Sequence, residues 1–300
     1  MRVTASRGPL TGKRSCSPRT FAYALEQEMR MRFRVLGKAP NRIVALLVQA
    51  AVIAALIGIG VPPARAQLAG AGPGWQVLVN PYLWIPGVSA KIQTPLPQRP
   101  EVDTNVSFDR VLAKLNGVPF EGAAELRYGP FGLLGDFIHL PVAANIPTRD
   151  VFFQGGKAAE TTNTGTMILF YRGLDSPEQF IDVGAGVRPW GFSATMTLNP
   201  GLLSRRVITR DVGWADPLIA ARYHRELGNG FGVTGYADIG GFGAGADLDW
   251  QLLGTVDYAY NSSVSFHAGY RSIHFDYQPG TRLGVNVHLD GPIFGGTIRF

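Results

Sequence analysis

Period-two alternation governs the chain from Trp75 onward. Successive side chains of a β-strand point to opposite faces, so alternation of polar with apolar residues describes a strand with two unlike faces. In 119–128, Glu121, Ala123, Glu125 and Arg127 share one face, while Phe120, Gly122, Ala124, Leu126 and Tyr128 share the other. In 248–260, Asp249, Gln251, Thr255 and Asp257 oppose Trp250, Leu252, Val256, Tyr258 and Tyr260. In 180–188, Asp182 and Arg188 oppose Ile181, Val183, Ala185 and Val187. A water-soluble sandwich also alternates. These segments, however, run to about 12–16 residues, longer than ordinary globular strands and suited to a tilted crossing of a bilayer. Aromatics gather at segment ends (Trp75, Tyr82, Trp84, Tyr128, Tyr171, Trp190, Tyr258 and Tyr260), where interfacial girdles are expected.

The pattern predicts an all-β fold: a single closed antiparallel transmembrane barrel. Ten strands are expected, over 75–91, 117–128, 131–143, 161–173, 180–196, 211–226, 231–244, 248–260, 264–277 and 284–300; eight or twelve remain open. Gly129-Pro130, 174–179, 227–230 and 261–263 are short turn sequences, and they alternate with longer links over 92–116, 144–160 and 197–210. Short turns on one side and long loops on the other are the asymmetry of an outer-membrane barrel. Within the first long link, Phe108, Val111, Leu112 and Leu115 fall at i, i+3, i+4 and i+7 behind Ser107, which predicts a short amphipathic helix. It is expected on the barrel rim, with a plug in the barrel mouth as the alternative.

The segment before this region reads as a leader. Ile43–Val61 carries no charge, follows Arg30, Arg32, Arg34, Lys38 and Arg42, and precedes Pro62-Pro63-Ala64-Arg65-Ala66. That order matches a secretory signal peptide cut after Ala66, leaving 67–300 as the barrel domain; a retained transmembrane anchor is the alternative. Residues 1–28 lie upstream of Met29 and Met31, which are alternative starts. The whole chain has a formal net charge of +6, but the part after Ala66 holds 17 basic and 20 acidic residues. The basic excess therefore belongs to the leader, and no nucleic-acid partner is expected. Cys16, the one cysteine, lies there too, so the remainder has no disulfide chemistry.

Several motifs taken together resemble a family of uncharacterised proteobacterial outer-membrane barrels, small porin-like proteins ending in phenylalanine. They are Tyr82-Leu-Trp-Ile-Pro-Gly87, Leu133-Leu-Gly-Asp136, Trp214-Ala-Asp-Pro-Leu218, Gly235-Tyr-Ala-Asp-Ile-Gly-Gly-Phe-Gly243, Trp250-Gln251, Gly269-Tyr-Arg271, Asp290-Gly-Pro292 and Arg299-Phe300. The resemblance spans roughly 75–300; the Pro-rich first loop (Pro95, Pro97, Pro100) and the long leader depart from it. It implies fold and location in the bacterial outer membrane, and no reaction. The terminal Phe300 likewise resembles the C-terminal assembly signal of such barrels, which implies the lipid bilayer and the barrel-assembly machinery as partners.

Strand parity sends Glu121, Glu125, Asp182, Asp216, Asp238 and Asp257 inward, together with Arg127, Arg172, Arg188, Arg222, Arg271 and Arg299. Six acids against six arginines suggest pairing across strands, because an isolated charge inside a barrel is costly. Two readings follow: a salt-bridged filling that stiffens a structural barrel, or a narrow polar pore for small solutes. Surface interaction through the long loops, as in an adhesin, is a third. An outer-membrane hydrolase would need convergence of His274, Asp276, His288 and Asp290 near the strand ends, with Ser272 the nearby hydroxyl. No enzyme, cofactor or metal site is expected; the glycines of 240–245 lack the Lys-Ser/Thr of a phosphate loop. In the last strand, Phe300, Ile298, Gly296 and Phe294 share the outward face. Val285, Val287 and Leu289 have the opposite parity. A bulge near Gly291-Pro292, turning His288 and Asp290 inward, is the expected repair.

Overall fold

A computed structural model describes residues 74–93, 101–147, 152–278 and 284–300. The expected leader and the prolines of the first loop lie outside the described residues. The elements are β1 (Trp75–Trp84), β2 (Gly87–Gln93), β3 (Glu101–Val106), helix α1 (Phe108–Ala113), β4 (Phe120–Tyr128), β5 (Phe131–Ile146), β6 (Phe153–Asp175), β7 (Gln179–Pro200), β8 (Arg206–Gly228), β9 (Phe231–Gly241), β10 (Leu248–Ala259), β11 (Val264–Tyr277) and β12 (Gly284–Arg299). The sheet runs β1-β4-β5-β6-β7-β8-β9-β10-β11-β12, and β12 pairs back to β1. The result is a closed antiparallel barrel of ten staves, with β2 and β3 as additional strands on the outer part of β12.

The first stave is split. Its lower half, β1, pairs with β12 from Leu78↔Arg299 to Trp84↔Ile293. Its upper half, β2, pairs with the same strand from Asp290↔Gly87 to Gly284↔Gln93. Ile85-Pro86 stands between them, and proline, lacking an N–H, interrupts a ladder. Above Phe120, where β4 ends, the wall is continued by the segment after α1. The Ala143 amide donates to Lys114 O (2.8 Å), and the Asn116 amide donates to Pro141 O (3.0 Å). Helix α1 therefore closes a gap between the β2–β3 hairpin and β5. Val111 is buried in the interior cluster, whereas Phe108 is exposed, so the helix belongs to the wall and is not a rim ornament. Ser107 occupies the N-cap position without a capping side-chain bond.

Strand register departs from the sequence expectation at β12. Its pairing with β11 runs from Val264↔Ile298 to Tyr277↔Val285 without a shift, so there is no bulge at 290–293. Val287 and Leu289 turn inward and are buried, while His288 and Asp290 are on the outer face. The face pattern changes because the surroundings of the strand change along its length: the inner face becomes apolar toward the mouth. Strands β6, β7 and β8 also reach farther than expected. Most of the presumed loops 144–160 and 197–210 are paired strand, joining Lys157↔Thr197 and Thr197↔Val207.

The end with short turns is called the foot, and the opposite end the mouth. At the foot, the β8–β9 turn places Asn229 at φ 54° between Gly228 (92°) and Gly230 (81°). That left-handed run suits glycine and asparagine. The outer surface between the two ends carries exposed Val77, Leu133, Met167, Leu169, Val183, Ile219, Leu252, Val256 and Phe294. Exposed aromatics ring the foot, with ring centroids 4.9 Å apart for Trp75–Tyr128 and 5.6 Å for Phe131–Tyr171. On the mouth side this band ends at polar pairs: His139 Nδ1 with Asn163 Oδ1 (2.7 Å), and the Ser193 hydroxyl donating to Asp211 (2.6 Å). Three aromatics expected in a girdle are elsewhere. Tyr82, Trp84 and Trp190 are buried in the barrel interior.

Candidate functional site

The barrel interior holds charged side chains in tiers. Nearest the foot, three arginines share two buried acids, and Arg172 also lies 3.5 Å from the exposed Asp175. Arg127 Nε donates to Glu125 (2.6 Å), and its Nη2 to Asp182 (3.0 Å). Arg172 Nε donates to Asp182 (2.8 Å), while Arg222 bridges both acids at 2.7 Å. The Arg172 guanidinium lies 3.8 Å from the Phe180 ring centroid, and that of Arg222 lies 4.9 Å from Phe170. These aromatic faces supply attraction where the acids are outnumbered. Across the foot, Asp257 accepts from Thr234 (2.5 Å) and Thr255 (2.9 Å) and lies 3.6 Å from His224 Nδ1. Arg299 is half-buried.

The middle tier reverses the ratio. Arg188, wholly buried on β7, donates to Asp249 and Asp238 at 2.5 Å each and to Thr166 at 3.0 Å. Tyr236 donates to Asp238 (2.5 Å), and the Trp190 indole donates to Asp249 (2.9 Å). Beside them, Arg271 donates to Asp136 (2.6 Å), Gln251 (2.8 Å) and Tyr82 (2.9 Å); Tyr82 in turn donates to Asp136. A cavity of about 210 Å³ separates the tiers, lined by Arg222, Arg271, Asp257 and His267 among others. It also exposes Asn80, whose buried Oδ1 has no hydrogen-bond partner.

Pairing is less symmetric than six acids against six arginines suggests. Asp216 is bonded by the Trp214 indole (2.7 Å) and the Ala246 amide (2.6 Å), both neutral donors. Glu121 accepts the Trp84 amide with one oxygen and leaves the other without a partner. Asp136 and Asp249, which parity did not single out as candidates, instead receive Arg271 and Arg188. Asp249 had a legible signal, since it shares a face with Gln251 and Asp257. Asp136 had none, because it sits between apolar Leu134 and Ile138 on the same face.

Above the charges, the interior is filled by apolar side chains. Trp84, Ile138, Leu140, Trp190, Ile273, Phe275, Leu289 and Ile293 form one buried cluster with Val111 of α1. Rings pack in its upper layer: Trp190 and Phe275 are tilted at 4.6 Å, while Phe192–Trp214 at 5.5 Å and Trp214–Tyr277 at 4.0 Å are stacked. This apolar layer lies across the mouth half of the interior.

The histidines near the strand ends lie outside the barrel interior. On the outer wall, the His274 and His288 rings are 5.9 Å apart, and Trp250 lies beside both. His288 Nε2 is 3.2 Å from Ser272 Oγ and 3.8 Å from Asp290 Oδ1. A proton relay to serine requires the acid on the other ring nitrogen, so the contacts do not form a triad. Asp276 accepts from Gln278 and does not join them. Among the described residues, no group of three or more His, Cys, Asp or Glu side chains is placed to hold a metal ion.

No family model and no curated protein sequence matches the chain. Among solved structures, it is similar to the outer membrane protease OmpT of Escherichia coli, with 9% identity, a TM-score of 0.48 and coverage of 76% of this chain and 97% of that one. It is also similar to Ail, the attachment invasion locus protein of Yersinia pestis, solved in complex with a heparin analogue. That match has 9% identity, a TM-score of 0.35 and coverage of 76% and 100%. A third is the toluene transporter TodX of P. putida, with 11% identity, a TM-score of 0.31 and coverage of 77% and 91%.

Proposed function

We propose that the chain is an outer-membrane barrel of a Gram-negative envelope with a closed, structural interior, acting at the cell surface through the sheet that rises above its mouth. The observation that carries this reading is the apolar layer from Trp84 to Phe275, which lies across the mouth half of the interior. A solute path would need a polar or hydrated passage there. The charge tiers beneath are interlocked by hydrogen bonds, as suits a filling that holds a small barrel rigid. The exposed apolar band and the aromatic foot suit a bilayer. Membership of the uncharacterised family described above is part of the same reading and rests on the motif set. So does a role for Phe300 in engaging the assembly machinery.

Purified protein reconstituted in planar bilayers is expected to be electrically silent. The triple variant Trp84→Ala, Trp190→Ala, Phe275→Ala tests the same layer from the other side and is expected to produce openings, provided it folds. Steady openings by the unaltered protein would overturn the reading in favour of a narrow pore. N-terminal sequencing of protein recovered from an outer-membrane fraction should begin at Gln67. An intact 43–61 segment there would replace the cleaved leader with a retained anchor.

A further inference from the structure

The tall sheet has an unequal pair of edges. Strand β8 pairs with β7 without interruption from Gln179↔Arg225 to Leu198↔Arg206. Its pairing with β9 begins only at Leu218↔Gly240. Just above that point, the β9–β10 turn covers β8: the Ala246 amide bonds Asp216, and a side chain at Gly245 would come within 2.5 Å of the Trp214 ring. From Arg206 to Gly213, β8 therefore offers one edge with no strand beside it among the described residues. Eight residues at roughly 3.3 Å each give an edge of about 26 Å.

An open edge presents alternate backbone N–H and C=O groups to any chain that arrives extended. Natural edges are commonly blunted by proline, by bulges, by short length or by charged side chains. Between Arg206 and Gly213, where every residue except half-buried Ile208 is exposed, only charge applies, and a cationic edge repels a like-charged strand while leaving a complementary acidic one free to pair. The charges here are uneven: Arg205, Arg206 and Arg210 stand against Asp211 alone. Asp211 is engaged by Ser193 on the outer face, and Arg210 bonds only the carbonyl of Thr209. The inward-facing residues at this edge are Arg206, Ile208, Arg210 and Val212, so cationic and apolar positions alternate along it.

We infer that this edge of β8 is a docking strand for an extended, acidic segment of another protein, which joins the sheet with acidic and apolar residues alternating on its inward face. The inference rests on the surface-acting reading above, which puts the mouth outside the cell. Charge complementarity selects the occupant. A second copy of this chain in the same membrane fits poorly. Antiparallel pairing of two β8 edges would invert one barrel, and parallel in-register pairing would set Arg206 beside Arg206 and Arg210 beside Arg210.

Hydrogen exchange on the reconstituted full protein tests the inference with a nine-residue probe. Threonine occupies every odd position of this peptide, and the even positions alternate glutamate with valine; a matched peptide carries lysine for glutamate. In the free protein, alternate amides of 206–213 should exchange rapidly. The glutamate peptide should protect them and bind about tenfold more tightly than the lysine peptide, from two favourable cross-strand charge pairs in place of two repulsive ones. The double variant Arg206→Glu, Arg210→Glu should reverse that preference while keeping the heat-modifiable mobility of a folded barrel. Equal binding of the two peptides, or no protection at millimolar probe, would overturn the inference. Protection already present in the free protein would also overturn it, assigning the edge to the chain's own β11–β12 tip if independent of protein concentration and to a second copy if not. Conductance is read separately, so a conducting barrel that still docks the peptide would defeat the closed-interior reading and leave this one standing.

Discussion

Arg188→Ala is expected to be among the most damaging single changes to the barrel, with a loss of about 3–5 kcal/mol on removal of one partner from a buried ion pair. One guanidinium serves two carboxylates, Asp238 and Asp249, each 2.5 Å away and each buried. Without it both acids remain buried with the Tyr236 hydroxyl and the Trp190 indole as their remaining side-chain donors. Arg188→Lys should recover part of the loss, since an ammonium is a point charge and does not reproduce the fork that spans both acids. Combining Arg188→Met with Asp238→Asn and Asp249→Asn should recover more, because it removes the uncompensated charge. Arg222→Ala provides the contrast. Arg127 and Arg172 still hold Glu125 and Asp182, so its loss should be the smaller. Urea unfolding in lipid vesicles, followed by mobility on unheated gels, measures the series. Equal losses for Arg188→Ala and Arg222→Ala would count against the unequal sharing of arginines between the tiers.

Gly186→Ala should impair folding through geometry alone. A Cβ built at Gly186 falls 1.8 Å from the carbonyl oxygen of Met167 on the neighbouring strand and 2.8 Å from the Ile168 Cα. Backbone cannot swing aside as a side-chain tip can, so β6 and β7 would have to separate at this point. Overpacking of a well-fitted interior costs typically ~1–3 kcal/mol, and contact with backbone puts this site at or above the upper end. Gly135 and Gly254 make the control, since a Cβ at either meets nothing within 4 Å. Alanine at those two positions should leave folding yield near that of the unaltered protein. If all three alanine variants refold alike into vesicles, the close approach of β6 to β7 is not a constraint on the fold.

The sequence made the ten staves legible because alternation persists wherever a strand separates lipid-like from polar surroundings. Within 119–128 and 180–188, parity alone assigns the faces. It becomes ambiguous at β12, where Val285, Val287 and Leu289 are apolar because they join the interior cluster that holds Phe275 and Trp84. Apolar inside and apolar outside look the same in one strand. Tyr82, Trp84 and Trp190 misled for a related reason: an aromatic near a strand end can cap either face. The upper reaches of β6, β7 and β8 were hidden because threonine, serine and glycine, as in 155–164 and 191–197, read as loop composition. Above the apolar band both faces of the sheet meet water, and the alternation that marks a strand disappears. Partners within the charged interior depend on which strands face each other across the barrel, as Arg188 and Asp249 do, and no local pattern records that.

The uninterrupted register of β7 with β8 bears on how the barrel would withstand a pull. Twenty residue pairs link the two strands from the foot to the crest. Hydrogen bonds in an antiparallel ladder lie perpendicular to the strands. A tug applied at Arg206 along the axis of β8 would therefore strain the whole row in shear, many bonds at once. The same tug directed sideways would peel them one after another from the free edge. The crest is thus anisotropic: firm when drawn along β8 and yielding when dragged across it.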